Sequence, residues 1–281
     1  MGQIIYIDKP KGITSFDMCF KLRKVFNTKK IGHTGTLDPN ATGLMICLVD
    51  NATKANQFLV CAKKEYIATV KLGIKTDSED IDGNILERKD EAMPGVETIR
   101  ETIASFLGKS VQVPPMTSAI KVNGKKLYEY QREGKTVEIK PREIEVFSIE
   151  LLDVNEDTFS FKCYVSSGTY VRTLAQDILK KLNVIGTLSD LRRTKIDSID
   201  ISLSDKLDDV LNGNYHEYTM YDILSKYYYV YNVSNRKAII DGKPLKLDLD
   251  EEMILCVDNG DALAIYKKED SLYRCVRGLL W

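Results

Sequence analysis

The segment with the most chemical potential is the string Gly32-His33-Thr34-Gly35-Thr36-Leu37-Asp38-Pro39. Its two glycines let the backbone turn tightly and approach a ligand closely. Pro39 disfavours the helical conformation for the preceding residue, so the carboxylate of Asp38 is expected to stand outside any helix. An isolated Asp-Pro pair usually only marks a turn. In this longer string Asp38 is a candidate catalytic carboxylate, acting as a nucleophile or a base.

Transition-metal chemistry has little support in the sequence. There are 2 histidines, His33 and His216, and 6 cysteines without any CxxC pair. Soft ligands spaced for zinc are therefore lacking, and the cysteines are expected to be free thiols in or near the core. The composition still allows a magnesium site that is built from carboxylates alone.

Charge argues against nucleic-acid binding by bulk attraction, because the formal net charge is -1. An RNA ligand would need a local basic patch. One candidate patch precedes the glycine-bearing loop and comprises Lys21-Leu22-Arg23-Lys24 and Lys29-Lys30, joined by Lys9 and Lys11. Each of these lysines, taken singly, is more typical of a solvated surface.

The compartment is predicted from what the sequence lacks. The chain of 281 residues is 43% hydrophobic and 29% charged, as in ordinary globular proteins. No apolar run approaches the roughly 20 residues of a bilayer span. The first residues have no basic region followed by a long apolar stretch, which a signal peptide requires. We therefore expect a cytoplasmic protein.

The elements that must position the loop are predicted from periodicity and caps. We expect a buried strand at 3–7, a turn at 8–12 and a helix running from an N-cap at Ser15 to about residue 26. The apolar residues of that helix are Phe16, Cys19, Phe20 and Leu22. An apolar strand at 44–49 follows the loop.

Further along, alternation predicts a strand bearing Tyr66, Ala68, Val70 and Leu72 on one face. An acidic loop at 76–83, a helix at 97–107, long strands at 144–152 and 159–165, and an amphipathic helix at 170–182 follow. After about residue 204 we expect two short helices and then short strands with Asp241-Gly242 and Asn259-Gly260 turns.

The string GHTGTLDPNATG resembles the signature loop of the bacterial TruB family of tRNA pseudouridine synthases. Further segments of the chain resemble other motifs of the same family, and they occur in the order that the family has. They are IDKPKGITSFD from Ile7, Lys64-Glu65-Tyr66 with the acidic segment from Thr76 to Gly83, Pro114-Pro115 with Ser118-Ala119 and Lys121, Ser167-Gly168-Thr169-Tyr170-Val171-Arg172, and Leu191-Arg192-Arg193-Thr194. Single motifs of this kind are weak evidence. Their succession over nearly two hundred residues is strong evidence.

The resemblance implies isomerisation of uridine at position 55 in the T arm of tRNA. That reaction breaks the glycosidic N1–C1′ bond, rotates the freed uracil and joins C5 to C1′. By its place in the motif, Asp38 would be the catalytic carboxylate. Whether it attacks C1′, adds to C6 or removes a sugar proton stays open. The resemblance also implies that no cofactor and no metal take part.

The resemblance further implies that Arg172 pairs with Asp38 and keeps it ionised and oriented. The sequence gives this pairing some independent support. Arg172 lies in the first turn of the predicted helix, where a cation opposes the helix dipole and favours a carboxylate partner. The alternative is a surface arginine extended beside Gln176.

Tyr66 matches the family tyrosine that stacks on the target base and handles the C5 proton. A phenol has a pKa of about 10, so it would need help from its surroundings to act as a base. Tyr66 also shares its strand face with apolar residues, and a core tyrosine would look the same.

The remaining site residues come from the resemblance alone. His33 would contact the RNA where the uridine is extruded, and Tyr170 and Leu191 would line the uracil pocket. Lys9, Lys121 and Tyr128 would support the site and contact the RNA backbone. Without the family, His33 would be interpreted as a solvated loop residue, and Tyr170 and Leu191 as core residues.

We therefore predict an α+β pseudouridine synthase fold, with a central mixed, largely antiparallel sheet and flanking helices. Residues 1–226 would form the catalytic domain, and residues 227–281 a small β module resembling a reduced PUA domain, which binds RNA. The expected partner is the T stem-loop of tRNA, with no membrane, no protein partner and a monomeric state. Two alternatives are a non-catalytic tRNA-binding or folding protein on the same scaffold, and a glycosidase-like enzyme, which would want a second acid.

Overall fold

The structure is a computed structural model that describes residues 2–59, 62–118 and 120–280. Its strands are β1 Gln3–Lys9, β2 Ile31–His33, β3 Thr42–Val49, β4 Lys64–Leu72, β5 Ile74–Thr76, β6 Ile85–Arg88, β7 Gly108–Gln112, β8 Lys121–Val122, β9 Lys125–Lys126, β10 Arg142–Val154, β11 Thr158–Val165, β12 Gly186–Ile196, β13 Ile199–Asp200, β14 Asp205–Lys206, β15 Tyr229–Asn232, β16 Met253–Asp258, β17 Asp261–Glu269 and β18 Leu272–Gly278.

The helices are α1 Ser15–Val25, α2 Asn56–Leu59, α3 Val96–Ala104, α4 Leu127–Arg132, α5 Val171–Leu182, α6 Leu207–Leu211, α7 Met220–Leu224 and α8 Arg236–Ile240, with short 3-10 helices at Asp50–Ala55 and Ile201–Leu203. The chain is therefore α+β, as predicted. Ala119 of the predicted Ser118-Ala119 motif and one of the six cysteines, Cys61, lie outside the described residues, as do Met1, Val60 and Trp281 of the predicted domains. The other five cysteines are free thiols, four of them buried.

The chain divides into two compact units. The first comprises Met1–Pro39, Met45–Val60 and Ser202–Trp281, and the second comprises Asn40–Leu44 and Cys61–Ile201. The division into a catalytic domain that ends at residue 226 and a separate module stays a prediction.

The second unit is built on a mixed, largely antiparallel sheet. Its strand order is β3-β12-β4-β11-β10-β7. The β12–β3 pair is parallel, and the other neighbours in this order pair antiparallel. Along β4, buried and half-buried residues alternate, because successive side chains point to opposite faces of a sheet. Phe159 and Phe161 of β11 are fully buried, and each contributes about 1.5–3 kcal/mol by leaving water.

Helix α5 covers this sheet with one apolar stripe. Val171, Leu174, Ala175 and Ile178 are buried, at the spacing that places residues on one side of a helix. The helix ends at Asn183, which takes the left-handed conformation with φ 56°. Asparagine tolerates that conformation and so stops the helix. The predicted amphipathic helix at 170–182 is confirmed.

The first unit contains the strands β14-β1-β3, with β2 paired to β3. Helices α1 and α6 pack on this group of strands, and together they enclose an apolar core. The core residues are Ile5, Ile7, Met18, Cys19, Leu22, Met45, Cys47, Val49, Leu207 and Val210.

Helix α1 corrects the predicted N-cap. Its N-cap is Thr14, whose hydroxyl accepts a hydrogen bond from Asp17 N at 2.9 Å, and Ser15 is instead the first helical residue. The helix buries Ser15, Met18, Cys19 and Leu22, whereas Phe16 and Phe20 are exposed. The sequence favoured Ser15 as the N-cap because a serine hydroxyl readily accepts a hydrogen bond from a backbone N–H of the first helical turn. Ser15 is instead buried and bonded to a residue distant in sequence.

The C-terminal part of the first unit is a four-stranded sheet in the order β15-β16-β17-β18. The predicted Asn259-Gly260 turn joins β16 to β17, with φ 49° and 83° at the two residues. Positive φ at both positions is what a tight hairpin turn requires. The sheet encloses its own core of Ile239, Ile254, Cys256, Leu263, Ala264, Tyr266 and Tyr273. The predicted small β module is confirmed as part of the fold.

This sheet also contacts other parts of its unit. Helix α7 packs on β17, and Asn51 Nδ2 donates a hydrogen bond to Leu280 O at 2.7 Å. The ring of Phe58 packs edge-on against the ring of Tyr228 at 6.0 Å between centroids. Within the described ranges, no helix combines the length and apolar character needed to cross a membrane.

Candidate active site

The residue before Asp38 is fixed by a buried hydroxyl. Ser15 Oγ donates to Leu37 O at 2.9 Å and accepts from Leu37 N, also at 2.9 Å. Ser15 and Leu37 are 3% and 4% exposed, so water does not compete for these bonds. A hydroxyl can donate and accept at once, and here one side chain satisfies both backbone groups of Leu37.

The residue after Asp38 is fixed by the N-terminal motif. Pro39 O accepts hydrogen bonds from Lys9 Nζ at 3.0 Å and from Gly12 N at 2.9 Å. Lys9 Nζ also donates to Pro10 O at 3.0 Å. Lys9 is fully buried, so it supports the loop from inside and does not belong to the predicted basic surface patch. Lys9, Gly12 and Ser15 therefore hold the backbone on both sides of Asp38.

The start of the same loop is tied to β3. His33 is half-buried and lies opposite Cys47 in the antiparallel β2–β3 pair. Thr34 N then donates to Ile46 O at 3.2 Å. The loop that carries Asp38 therefore leaves a paired strand, so its position is set by sheet pairing as well as by the Ser15 and Lys9 contacts.

Gly43, in the second unit, is required by close backbone packing. Its φ is 110°, and a Cβ there would lie 2.2 Å from Arg193 O. Any side chain would therefore collide with the backbone of β12. Arg193 is itself fully buried, and its Nε donates to Leu44 O at 2.7 Å. The final glycine of the signature string is thus a packing requirement.

Tyr66 and Leu191 share one face of the sheet in the second unit. Tyr66 lies opposite Arg193, and Ala68 opposite Leu191, in the antiparallel β4–β12 pair. Directly opposed residues point to the same face, and so do alternate residues of one strand. Tyr66 is 7% and Leu191 8% exposed. Burial at this level suits a closed pocket wall and a core equally, so the roles of both in binding uracil stay predictions.

Arg172 is buried, which rules out the surface-arginine alternative. It is 6% exposed, and its Nη1 donates to Ser78 O at 2.9 Å and to Thr117 Oγ1 at 2.6 Å. The same nitrogen lies 3.5 Å from Asp80 Oδ2. Sequence reasoning did not single out Asp80 as an ionic partner of Arg172. The predicted pairing of Arg172 with Asp38 stays a prediction.

The acidic loop that supplies Asp80 is rigidly held. Asp80 Oδ1 accepts from Ser78 Oγ at 2.6 Å, and Asp80 O accepts from Thr76 Oγ1 at 2.7 Å. The loop is attached to β12 because Ile81 N donates to Leu188 O at 2.9 Å. A further hydrogen bond joins Asp82 to Asn40, which is two residues beyond Asp38 along the chain. Asp80 is thereby fixed before any substrate binds.

A second carboxylate of the loop is held near the start of α5. Thr173 Oγ1 donates to Glu79 Oε2 at 2.9 Å. Burial raises the pKa of Glu79, and this effect outweighs the hydrogen bond from Thr173 and the charge of Arg172, which both lower that pKa. The acidic loop thus contacts the first turn of α5 at Arg172 and Thr173.

Tyr170 is held through its backbone by a residue that the sequence analysis missed. Gln112 Nε2 donates to Tyr170 O at 3.0 Å, and Tyr170 N donates to Gln112 Oε1 at 2.8 Å. Gln112 is 3% exposed. The side-chain amide thus bonds both backbone groups of Tyr170, as a residue of a neighbouring strand would, and it fixes the entry to α5 just ahead of Arg172.

Lys121 and Tyr128 lie in the segment of β8, β9 and α4. Lys121 is exposed. Tyr128 OH accepts from Lys126 Nζ at 3.1 Å, and the guanidinium carbon of Arg132 lies 5.3 Å from the centre of the Tyr128 ring. The hydrogen bond with Tyr128 raises the pKa of Lys126. This segment therefore presents cations around a tyrosine, which suits a phosphate backbone.

No cluster of three or more His, Cys, Asp or Glu side chains suited to a metal ion occurs among residues 2–59, 62–118 and 120–280. The carboxylates of the acidic loop are instead engaged with hydroxyls, backbone amides and Arg172.

Comparison with known proteins agrees with the motifs. The model of the TruB family pseudouridylate synthase N-terminal domain matches residues 23–171. A tRNA pseudouridine synthase B of Oceanobacillus iheyensis is 38% identical over 281 residues, covering 95% of this chain and 93% of the relative. That of Aquifex aeolicus is 42% identical over 223 residues, covering 78% of this chain and 77% of the relative.

The chain belongs to the TruB family of pseudouridine synthases.

Solved structures of low sequence identity agree with this TruB-family assignment at the level of fold. An H/ACA ribonucleoprotein bound to a substrate RNA containing 2′-deoxyuridine matches with a TM-score of 0.73 at 20% identity, covering 99% of this chain and 85% of that chain. An archaeal box H/ACA ribonucleoprotein complex also matches with a TM-score of 0.73 at 20% identity, covering 99% of this chain and 86% of that chain. The predicted family and the predicted pseudouridine synthase fold are both confirmed.

Proposed function

We propose that this TruB-family protein isomerises uridine to pseudouridine at position 55 in the T arm of tRNA, with Asp38 as the catalytic carboxylate and without a metal or cofactor. The observation that carries the proposal is the match of 95% of this chain to a tRNA pseudouridine synthase B at 38% identity. Because that match spans nearly the whole of both chains, the proposal takes in the full activity that the relative's name describes.

Asp38 acts on the nucleoside while the N1–C1′ bond breaks and the C5–C1′ bond forms. The contacts of Ser15 and Lys9 on either side support this role, because a carboxylate must be held in its reactive geometry before substrate arrives. Two rigid neighbours leave Asp38 little freedom besides its own side-chain rotation.

Tyr66, Tyr170 and Leu191 form the uracil pocket, in which Tyr66 stacks on the base and handles the C5 proton. The shared sheet face of Tyr66 and Leu191 supports this, since residues that line one pocket must point to the same side of the sheet. Arg172, fixed by Ser78 and Thr117, supplies the positive charge of the site.

The substrate is the T stem-loop, which contacts Lys121 and Tyr128 through its backbone. Removing the target base from its stack costs a few kcal/mol, and the ring of His33 fills the gap that the base leaves. The described contacts of Tyr128 with Lys126 and Arg132 support a phosphate-binding role for this segment.

The test is incubation of the protein with an unmodified tRNA transcript, followed by mapping of pseudouridine along it. One modified site in the T loop is expected, and none in a transcript with cytidine at that position. Binding without any product would favour the non-catalytic tRNA-binding alternative and refute the proposal.

Asp38→Asn tests the catalytic assignment within the same assay. We expect product formation to disappear while RNA affinity stays within about threefold, because asparagine keeps the shape but is neither nucleophile nor base. Glu97→Gln is the matched control, because that carboxylate is 77% exposed on α3 and is not among the candidate site residues. Single-turnover product formation by Asp38→Asn near the wild-type rate would remove Asp38 from the mechanism.

A further inference from the structure

The outer face of α1 carries two exposed aromatic rings. Phe16 is 65% and Phe20 61% exposed. Because residues four apart are neighbours on one side of a helix, the two rings form one surface. The burial of Met18, Cys19 and Leu22 shows that the helix already has a full apolar face toward the core. The two phenylalanines are therefore an additional apolar feature that the fold itself does not use.

Cations surround these rings. The guanidinium carbon of Arg23 lies 5.6 Å from the ring centre of Phe20 and 5.9 Å from that of Phe16. Lys21 and Lys24 are exposed on the same helix. The acidic residue of α1, Asp17, is engaged in the N-terminal cap, where hydrogen bonds from Thr14 lower its pKa. The face is therefore both aromatic and positively charged, in a chain whose net charge is -1.

The same helix is anchored to the loop of Asp38. Ser15, next to Phe16, forms both hydrogen bonds with Leu37, next to Asp38. A ligand bound along α1 would therefore be held at a fixed position relative to that loop.

We propose that Phe16 and Phe20 form a stacking platform for unpaired bases of the substrate RNA next to the target uridine, with Arg23 and Lys24 contacting its phosphates. Aromatic rings beside cations are the combination by which proteins hold single-stranded nucleic acid. Aromatic rings and arginine are also enriched at protein interfaces, but lysine is depleted there, so the exposed Lys21 and Lys24 favour RNA over a protein partner. The inference rests on the proposed function, since it extends the RNA footprint of that reaction.

The experiment compares three double variants with the wild type. Phe16→Leu/Phe20→Leu keeps apolar bulk but removes the flat rings, whereas Phe16→Tyr/Phe20→Tyr keeps the rings. Leu107→Ala/Leu152→Ala is the control, because these side chains are also exposed, at 60% and 45%, and belong to other elements than α1. The measurements are the Kd of a fluorescent T-arm hairpin by anisotropy, and kcat and KM for the same RNA.

The leucine variant should raise Kd and KM by about fivefold or more, since stacking on one ring alone is worth at least that factor. The tyrosine variant and the control should bind as the wild type does. Lys24→Gln should reduce the slope of log K against log salt by about 0.7 in magnitude.

Unchanged Kd and KM in the leucine variant would overturn the inference. So would a change in oligomeric state, measured by sedimentation, with unchanged RNA affinity, because the face would then be a protein interface. If the wild type forms no pseudouridine, the proposed function fails by itself. The anisotropy measurement would still report whether α1 binds the RNA hairpin.

Discussion

Removing the hydroxyl of Ser15 should impair catalysis as well as stability. In Ser15→Ala the two 2.9 Å hydrogen bonds to Leu37 are lost, while the buried methylene of the side chain remains. The N–H and C=O of Leu37 then stay buried without this partner, and the loop must shift to reach others. Asp38 is the next residue, so its carboxylate moves with the loop.

The magnitude follows from the burial of both partners. An unsatisfied buried backbone group costs about 1–3 kcal/mol, so two such groups set an upper range of about 2–6 kcal/mol. Relaxation of the loop will recover part of this, at the expense of the position of Asp38. A displacement of about 1 Å in a catalytic group is enough to cost about 100-fold in rate. We therefore expect kcat to fall by about two orders of magnitude and KM for RNA to change by less than about threefold.

The assay is single-turnover pseudouridine formation at saturating tRNA, with thermal melts of each protein. Thr14→Ala is a matched control, because the neighbouring hydroxyl is also removed but serves only as the N-cap of α1. Loss of that cap should cost about 1 kcal/mol of stability and leave kcat within about twofold of the wild type.

Equal rates for the two variants, with both proteins folded, would refute the reasoning. That result would mean that the hydroxyl of Ser15 stabilises α1 generally and does not position Asp38. A rate loss in Ser15→Ala that disappears when the rate is measured far below the melting temperature of the variant would have the same meaning.

Three further predictions concern charge and the C-terminal sheet. Arg172→Lys should lower kcat/KM at least tenfold, because the shorter lysine stem does not bring its ammonium to the position of Arg172 Nη1, the one nitrogen that donates to both Ser78 and Thr117, and each of these bonds is worth about 1.5–3 kcal/mol. Wild-type turnover would show those bonds to be incidental. RNA affinity should fall steeply as salt is raised, with a slope of about -0.7 in log K against log salt for each phosphate contacted. An affinity that does not change with salt would contradict tRNA as the ligand. Truncation after Lys226 should weaken RNA binding and also lower the melting temperature, because the sheet packs on α7 and on Asn51; an unchanged melting temperature would support the predicted separate module.

Much of the fold follows from local pattern in the sequence. The alternation around Tyr66 predicted β4, and the spacing of Val171, Leu174 and Ile178 predicted α5, because burial repeats every two residues in a strand and about every 3.6 in a helix. The Asn259-Gly260 pair predicted its hairpin because few residues accept positive φ at both positions. The glycine-bearing string directed attention to Asp38 for the same kind of local reason.

The contacts that hold the candidate site were decided by the tertiary structure. Ser15 meets Leu37 across 22 residues, Gln112 meets Tyr170 across 58, and Arg172 meets Ser78 across 94. A serine at the start of a helix, a glutamine at the end of a strand and an arginine in a first helical turn each have several plausible partners from sequence. Which partner is chosen depends on which strands pair and which helix face is buried, and those are properties of the whole packed chain.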